Sequence, residues 1–413
     1  MRAFLIALFV AAWLSPTSAA QTTWHVDDDA DPNGDGLTWD SAFRFLQDAL
    51  AAANQGDEIR VAGGTYQPDR RDVTPNGTGD RGATFALIAN VSLYGGYAGL
   101  ADPNNPDWRD LHVFESVLSG DLAGDDGVVS PSSDDNSYHV VTAIDVPPTA
   151  TLDGFTVTGG NADGFQPDES GAGILLVTSK VSLTGCTLTR NTASDRGGGL
   201  YATGSWAVIT NSQITRNAAG AGGGAFIETS HADVEDSSFT ENSALGAGGL
   251  YVFTDATAAL SGCTFQANEA TFGGGAVFRG NKGALVANSE FAGNLAADSA
   301  GAIEIDGSGQ ASLANCVCRN NEASDGAAVA LVADGFAKIS RCSFSENSAT
   351  SGGGAINVNL ASSAVISDCH FASNRAASGG AIYAIMSASS ISRSTFNSNG
   401  ATITGGGVVR VRP

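Results

Sequence analysis

An asparagine recurs at Asn191, Asn217, Asn242, Asn268, Asn294, Asn321, Asn347, Asn374 and Asn399, at intervals of 26, 25, 26, 26, 27, 26, 27 and 25 residues. A period of this length, held from Gly171 to the end of the chain, restricts the fold to a stack of similar turns, each leaning on its neighbours. The copies follow one pattern, Gly-Gly, then a small or apolar pair, then a short alternating segment, then A-x-[ILV]-x-x-[CS]-x-[FIL]-x-x-N, with single departures.

The alternation within a copy is the period of a strand. Ala337 and Ile339 point one way, and after a two-residue step Cys342 and Phe344 point the same way. Ala258, Leu260, Cys263 and Phe265 keep that frame, as do Ala364, Ile366, Cys369 and Phe371. The opposite positions are polar or small: Thr187, Gln213, Ser238, Thr264, Ser343, His370 and Thr395. No segment is helical enough for an αβ repeat, and leucine has no regular spacing. Two or three short strands per turn make an all-β, single-stranded, right-handed parallel β-helix. Turns stacked at about 4.8 Å give roughly 38 Å from Asn191 to Asn399. The asparagines are expected to take the left-handed corner and to form amide ladders. The glycine pairs allow positive φ and close backbone approach. Cys318 replaces Phe and Gly326-Ala327 replaces Gly-Gly, so a thinner core is expected there.

Gly-Gly-Ala-Phe at 223–226, Gly-Gly-Ala-Val at 274–277 and Gly-Gly-Ala-Ile at 353–356 and 379–382 alternate with Phe-x-x-Asn. The latter ends at Asn242, Asn268, Asn294, Asn347, Asn374 and Asn399. Together, over roughly residues 150–413, they resemble the repeats of the chlamydial polymorphic outer membrane proteins and of similar secreted bacterial proteins with a pectin-lyase-like fold. The resemblance implies a surface or secreted β-helix. It implies no activity, because the motif residues are structural.

Upstream, residues 1–20 read as a signal peptide: Arg2, an apolar run Phe4–Leu14, then Ser18-Ala19-Ala20 before Gln21. Residues 21–150 read as a cap and irregular first coils, and 151–413 as the regular repeats, one continuous solenoid. Ala42, Leu46, Ala49, Leu50 and Ala53 predict an N-terminal amphipathic capping helix, N-capped by Asp40 or Ser41. Trp39, Ala42, Phe43, Leu46 and Gln47, followed by Gly56-Asp57-x-Ile59-x-Val61-Ala62, resemble a recurrent N-terminal region of secreted bacterial β-helix proteins. Residues 68–81 and 121–136 are polar insertions. No C-terminal cap, sorting signal or autotransporter barrel follows Pro413 in this sequence, so self-association through the last rung is a candidate contact.

The formal net charge of −23 disfavours nucleic acid and anionic membranes as partners. No stretch of the mature chain is long and apolar enough to span a membrane. Asp29, Asp31, Asn33, Asp35 and Asp40 have the spacing of a calcium loop with Gly34 at its sixth position, making calcium the one candidate cofactor, weighed against a solvated turn. The six cysteines fall on inward positions and read as buried small hydrophobes; Cys316, Cys342 and Cys369 on consecutive rungs leave a disulfide open.

Glu304 and Asp306 face outward on one strand. Counting by 26 sets Phe278 and Ala330 beside Glu304, and Gly280 and Val332 beside Asp306, with no basic partner. Asp233 and Glu235 are a similar pair, and the five histidines form no legible Ser/His/Asp arrangement. Ile227, Val252, Phe278 and Tyr383 suggest an apolar outer ladder, equally a binding face or a surface under a packed loop. The sequence favours an exported, non-catalytic surface or extracellular β-helix for adhesion or interaction with polysaccharide or surface proteins. The alternative is a polysaccharide lyase or glycoside hydrolase whose missing groups come from the two insertions, with Arg70, Arg71 or Arg81. A structural envelope component without ligand is the third reading.

Overall fold

The computed structural model describes residues 21–126, 133–359, 361–403 and 407–412; the signal peptide expected over residues 1–20 lies outside the described residues. The turns stack into four sheets of 13, 12, 12 and 10 strands, and every strand pairing is parallel. One turn shows the plan. Ile303–Asp306 follows the glycine step, Gln310–Ala314 enters the 13-stranded sheet, Val317–Arg319 carries the Phe column, and Glu322–Ala323 closes the turn. These four positions build what we term the Gly-Gly sheet, the long sheet, the Phe sheet and the wall sheet. A turn thus holds four strands rather than two or three, because the wall segment after the asparagine also pairs with its neighbours. The long sheet runs unbroken from Thr23–Val26 to Ser390–Ser392, so the irregular N-terminal coils and the regular repeats share one sheet.

Alternation fills the bore as expected. Ala337, Ile339, Cys342 and Phe344 are buried, and so are their counterparts. Because neighbouring turns hydrogen-bond in register, identical side chains meet. Phe239, Phe265 and Phe291 stack with centroids 4.7 and 4.6 Å apart and planes within 4°. Phe344, Phe371 and Phe396 stack likewise at 4.9 and 4.8 Å, with planes within 8°. Cys318 interrupts the column between the two stacks. All six cysteines are buried free thiols, Cys316, Cys342 and Cys369 included. Burial pushes the Cys186 and Cys263 thiols up to about 11.

The asparagines form the expected ladder. Asn268 Nδ2 and its backbone N–H both donate to Asn294 Oδ1, at 2.9 and 3.1 Å, and Nδ2 also donates to Phe239 O. The pattern repeats from Asn191 to Asn374. The left-handed corner, however, is not the asparagine. It is the residue before it: Arg190, Arg216, Glu241, Ala267, Gly293, Asn320, Glu346, Ser373 and Ser398 have φ between 54 and 62° except Ala267 at 52°. That twist turns the asparagine side chain inward, where its amide replaces the lost sheet pairing. At the other corner Gly273 takes φ +60°, and a Cβ on Gly274 would lie 2.5 Å from Gly301 O of the next turn.

At the N-terminal end the helix spans Leu46–Ala52, with Leu46, Gln47, Ala49 and Leu50 buried, and it packs on Thr23–Val26 and Phe85–Ala86. It starts later than its apolar spacing predicts. Residues 39–41 form a separate 3-10 turn capped by Thr38 Oγ1, and Phe45 precedes the helix without a side-chain cap, so neither Asp40 nor Ser41 is its N-cap. Gln47 Nε2 ties the helix to Pro68 O and Thr84 O. Asp57 is buried and accepts from Thr22 N, Trp24 Nε1 and Asn54 N. Burial alone would raise its pKa; the three donors outweigh that and lower it.

The ladder predicts a position-dependent cost. Asn268→Ala takes the acceptor of the Asn242 backbone N–H, one of the two acceptors of Asn242 Nδ2, and a donor from the Phe239 carbonyl in a dry interior, at about 1–3 kcal/mol for a group left orphaned. Asn399→Ala, at a half-buried end, lets water replace the lost acceptor and costs about 1 kcal/mol or less. Urea denaturation of the two variants checks this; equal losses would contradict the ladder account.

Candidate functional site

On the outer face of the Gly-Gly sheet, alternate residues of each strand point away from the bore. In register they run Leu175, Tyr201, Phe226, Tyr251, Val277, Glu304, Ala330, Asn357 and Tyr383. The apolar outer ladder of the sequence is therefore displaced by one residue. Ile227, Val252 and Phe278 lie in the core, and of the four only Tyr383 faces outward. Their neighbours Phe226, Tyr251 and Val277 form the outer ladder instead, with Phe226 and Tyr251 rings 4.9 Å apart.

The cause is an extra residue. The interval from Asn294 to Asn321 is 27, and the added residue sits in the wall strand Leu295–Ser299. There Ala270 faces Ala296 but Phe272 faces Ser299, which is a β-bulge. Counting back by 26 from Glu304 therefore lands on Phe278, whereas its partner is Val277, and the partner of Asp306 is Arg279 rather than Gly280. The expectation of no basic partner fails for that reason: Arg279 Nε meets Asp306 Oδ2 at 3.1 Å.

The wall sheet and the Gly-Gly sheet enclose a groove of about 410 Å³ over these residues. Tyr251, Val277, Arg279, Glu304, Asp306, Asn357 and Asn359 form its floor. Phe272, Asp298, Ser299 and Asp325 stand along the wall side. Phe272 keeps 43% of its surface exposed. Glu304 is only 6% exposed and accepts a hydrogen bond from Ser299 Oγ. Its carboxyl is raised to about 7, first by burial and further by Asp306 and Asp298; Ser299 and Arg279 oppose the rise. At neutral pH Glu304 is thus present in both protonation states. Asn357 Nδ2 donates to Asp325 Oδ1 at 3.0 Å, which fixes the amide with Oδ1 turned the other way. That Oδ1 is buried and has no partner, and Asn359 Oδ1 is in the same condition.

Other sequence candidates are placed differently. Asp35 Oδ1 accepts from Leu37 N and Ser41 Oγ, and Asn33 N donates to Asp72. Asp40 and Asp31 are exposed, and Asp29 gathers with Asp27 and Asp28 rather than with the other four. Asp27 and Asp28 in turn accept from Leu100 N and Thr65 N. In the 68–81 insertion Arg81 pairs with Asp163, donates to Asn136 O and Asn161 O, and stacks on Tyr138 at 4.3 Å. Arg70 lines a separate depression of about 350 Å³ with Asp28 and Arg44. On the long sheet His231 lies between Asp233 Oδ1 (2.9 Å) and Thr257 Oγ1 (2.6 Å), a cross-turn arrangement that the repeat frame did not make legible. It stands on a strand face open to water, as does Glu235.

The sequence model described as right handed beta helix region matches residues 148–294, 198–354 and 274–411, which overlap into one stretch covering more than half of the chain. The chain belongs to this right-handed beta-helix family. No curated protein matches the chain. Among solved structures, pectate lyase Pel9A is 13% identical with a TM-score of 0.43, covering 91% of this chain and 79% of its own. Alginate lyase from Paenibacillus sp. str. FPU-7 is 17% identical with a TM-score of 0.40, covering 79% and 92%. PfbA, a surface adhesin of Streptococcus pneumoniae, is 12% identical with a TM-score of 0.42, covering 92% of each. These likenesses carry no argument about what this beta-helix protein does. Among the described residues no helix is long and apolar enough to cross a membrane.

The Glu304 environment has a stability consequence. Its folded pKa lies above the ordinary carboxyl value of 4.5, so its contribution is present below pH 4.5 and is lost as pH rises through about 7. The wild type should lose about 3 kcal/mol relative to Glu304→Gln between those limits. Paired urea titrations at pH 4.5 and 8 measure it; a constant difference between the two proteins would rule out the raised carboxyl.

Proposed function

We propose that the protein is an exported β-helix that binds a glycan chain in the groove over Tyr251, Phe272, Glu304 and Asn357, serving adhesion or interaction outside the cell. The observation that carries this reading is the unpartnered buried Asn357 Oδ1 beside an exposed aromatic wall. A buried acceptor without a partner costs free energy in the empty protein, and a ligand hydroxyl or N–H recovers it. An apolar ring such as Phe272 offers a face for the C–H side of a sugar. Export rests on the signal segment, and the helix Leu46–Ala52 is in this reading the cover of the first coil.

A second reading is favoured by one observation, the carboxyl of Glu304 held at about 7 next to Asp306. Such a group is suited to act as a general acid at neutral pH, with Asp306, paired to Arg279, as the second carboxyl. This is the glycoside hydrolase alternative, placed on the Gly-Gly sheet rather than in the two insertions.

One experiment separates the readings. Purified 21–413 is incubated with a panel of polysaccharides, first with calcium and then with chelator, and retained protein and new chain ends are scored together. Retention without new ends, weakened at least tenfold by Asn357→Leu or Phe272→Ser, is the expected result. New ends that disappear in Glu304→Gln would establish the hydrolase instead. If neither is seen, the groove is not a glycan site. A melting temperature lowered by several degrees with chelator, and no longer lowered in Asp35→Asn, would support calcium at the acidic turn 29–40; a shift that persists in Asp35→Asn would point to another acidic cluster.

A further inference from the structure

The groove is unusual in the balance of its polar groups. Four carboxyl groups line it, from Asp298, Glu304, Asp306 and Asp325, against the single guanidinium of Arg279. That guanidinium is already engaged with Asp306, and the Tyr251 hydroxyl beside it is the larger influence holding it charged. Asp325 Oδ1 accepts from both Gly352 N and Asn357 Nδ2, so the amide cannot turn its N–H groups into the groove without breaking that bond. The buried side-chain oxygens of the floor that have no partner, Asn357 Oδ1 and Asn359 Oδ1, are both acceptors.

A site with more carboxyl groups than cations disfavours anionic ligands. A uronate chain would bring further carboxylates against three that lack a cation. A neutral hydroxyl satisfies one acceptor but leaves the charge uncompensated. An ammonium group brings three donors, no acceptor and one positive charge, and it is also attracted to the face of an aromatic ring. From these observations, and resting on the reading of the groove as a glycan site, we infer that its ligand is a cationic amino sugar carrying a free ammonium group, held between Glu304, Asn357 and the Phe272 ring.

The test uses the whole mature chain and three probes of equal length: an oligomer of glucosamine, the same oligomer fully N-acetylated, and an oligogalacturonate. Calorimetric titration is made at several pH values through the range in which the sugar amine and Glu304 both titrate, and the three probes are compared at each. The expected result is binding of the glucosamine oligomer at least tenfold tighter than the acetylated one, and no measurable binding of the uronate. Glu304→Gln, which keeps the shape of the side chain, should remove that preference by weakening the amine probe at least tenfold more than the acetylated one. Near-ultraviolet circular dichroism of the variant checks that the fold is retained, and Asn357→Leu, which removes the Oδ1 acceptor, should weaken both the free and the acetylated oligomer. Equal affinity for the free and acetylated oligomers would overturn the inference while leaving the glycan groove standing. Preference for the uronate would overturn it in the same way. Binding of none of the probes, together with no retention on any panel polysaccharide, would remove both.

Discussion

The structure depends on one constraint, the in-register parallel hydrogen bonding of each turn to the next. It converts a repeated residue into a continuous column at the spacing of the strands. Asparagine columns benefit most, because each amide has one acceptor and two donors and the ladder uses all of them: Oδ1 takes two bonds from the turn before, and Nδ2 serves the turn after and a backbone carbonyl. In a dry bore every one of these groups would otherwise be orphaned, so the ladder specifies the stacking as well as stabilising it. The Phe column adds apolar burial in the same register, and it tolerates Cys318 because the flanking columns continue past it.

The same constraint leaves the outer face free to vary. An outward residue touches only its two neighbours above and below and the segment beside it, so substitution there does not disturb the bore. Function therefore collects where the outer face is made concave. Concavity in this chain comes from the wall strands Ala218–Ala221, Ser243–Gly246, Glu269–Phe272 and Leu295–Ser299, which are longer than the two-residue wall strands that follow. The bulge in Leu295–Ser299 brings Ser299 to Glu304. The groove thus follows from a local departure from the repeat.

Charge works with this geometry. The chain carries −23 overall, and a groove with a surplus of carboxyls sits naturally on it. Burying Glu304 among Asp298 and Asp306 makes its ionisation costly, and the cost is relieved either by a proton or by a cation. An amine ligand and a rise in acidity are, at this carboxyl, alternative answers to the same electrostatic problem.

The sequence by itself determined the solenoid, the inward columns and the asparagine ladder, because each rests on a period and on short-range alternation. It determined Glu304 and Asp306 as outward carboxylates for the same reason. Only the tertiary structure decided their neighbours. Register across turns depends on where each extra residue is absorbed, and a spacing of 27 does not say whether a corner, a strand or a wall takes it up. One residue in the wall strand set Glu304 opposite Val277 and Asp306 opposite Arg279, while Phe278 keeps the inward position of Ile227 and Val252. The partnerless oxygen of Asn357 was equally beyond sequence reasoning, since it follows from a hydrogen bond to Asp325 on the preceding turn, and that contact exists only once the turns are stacked.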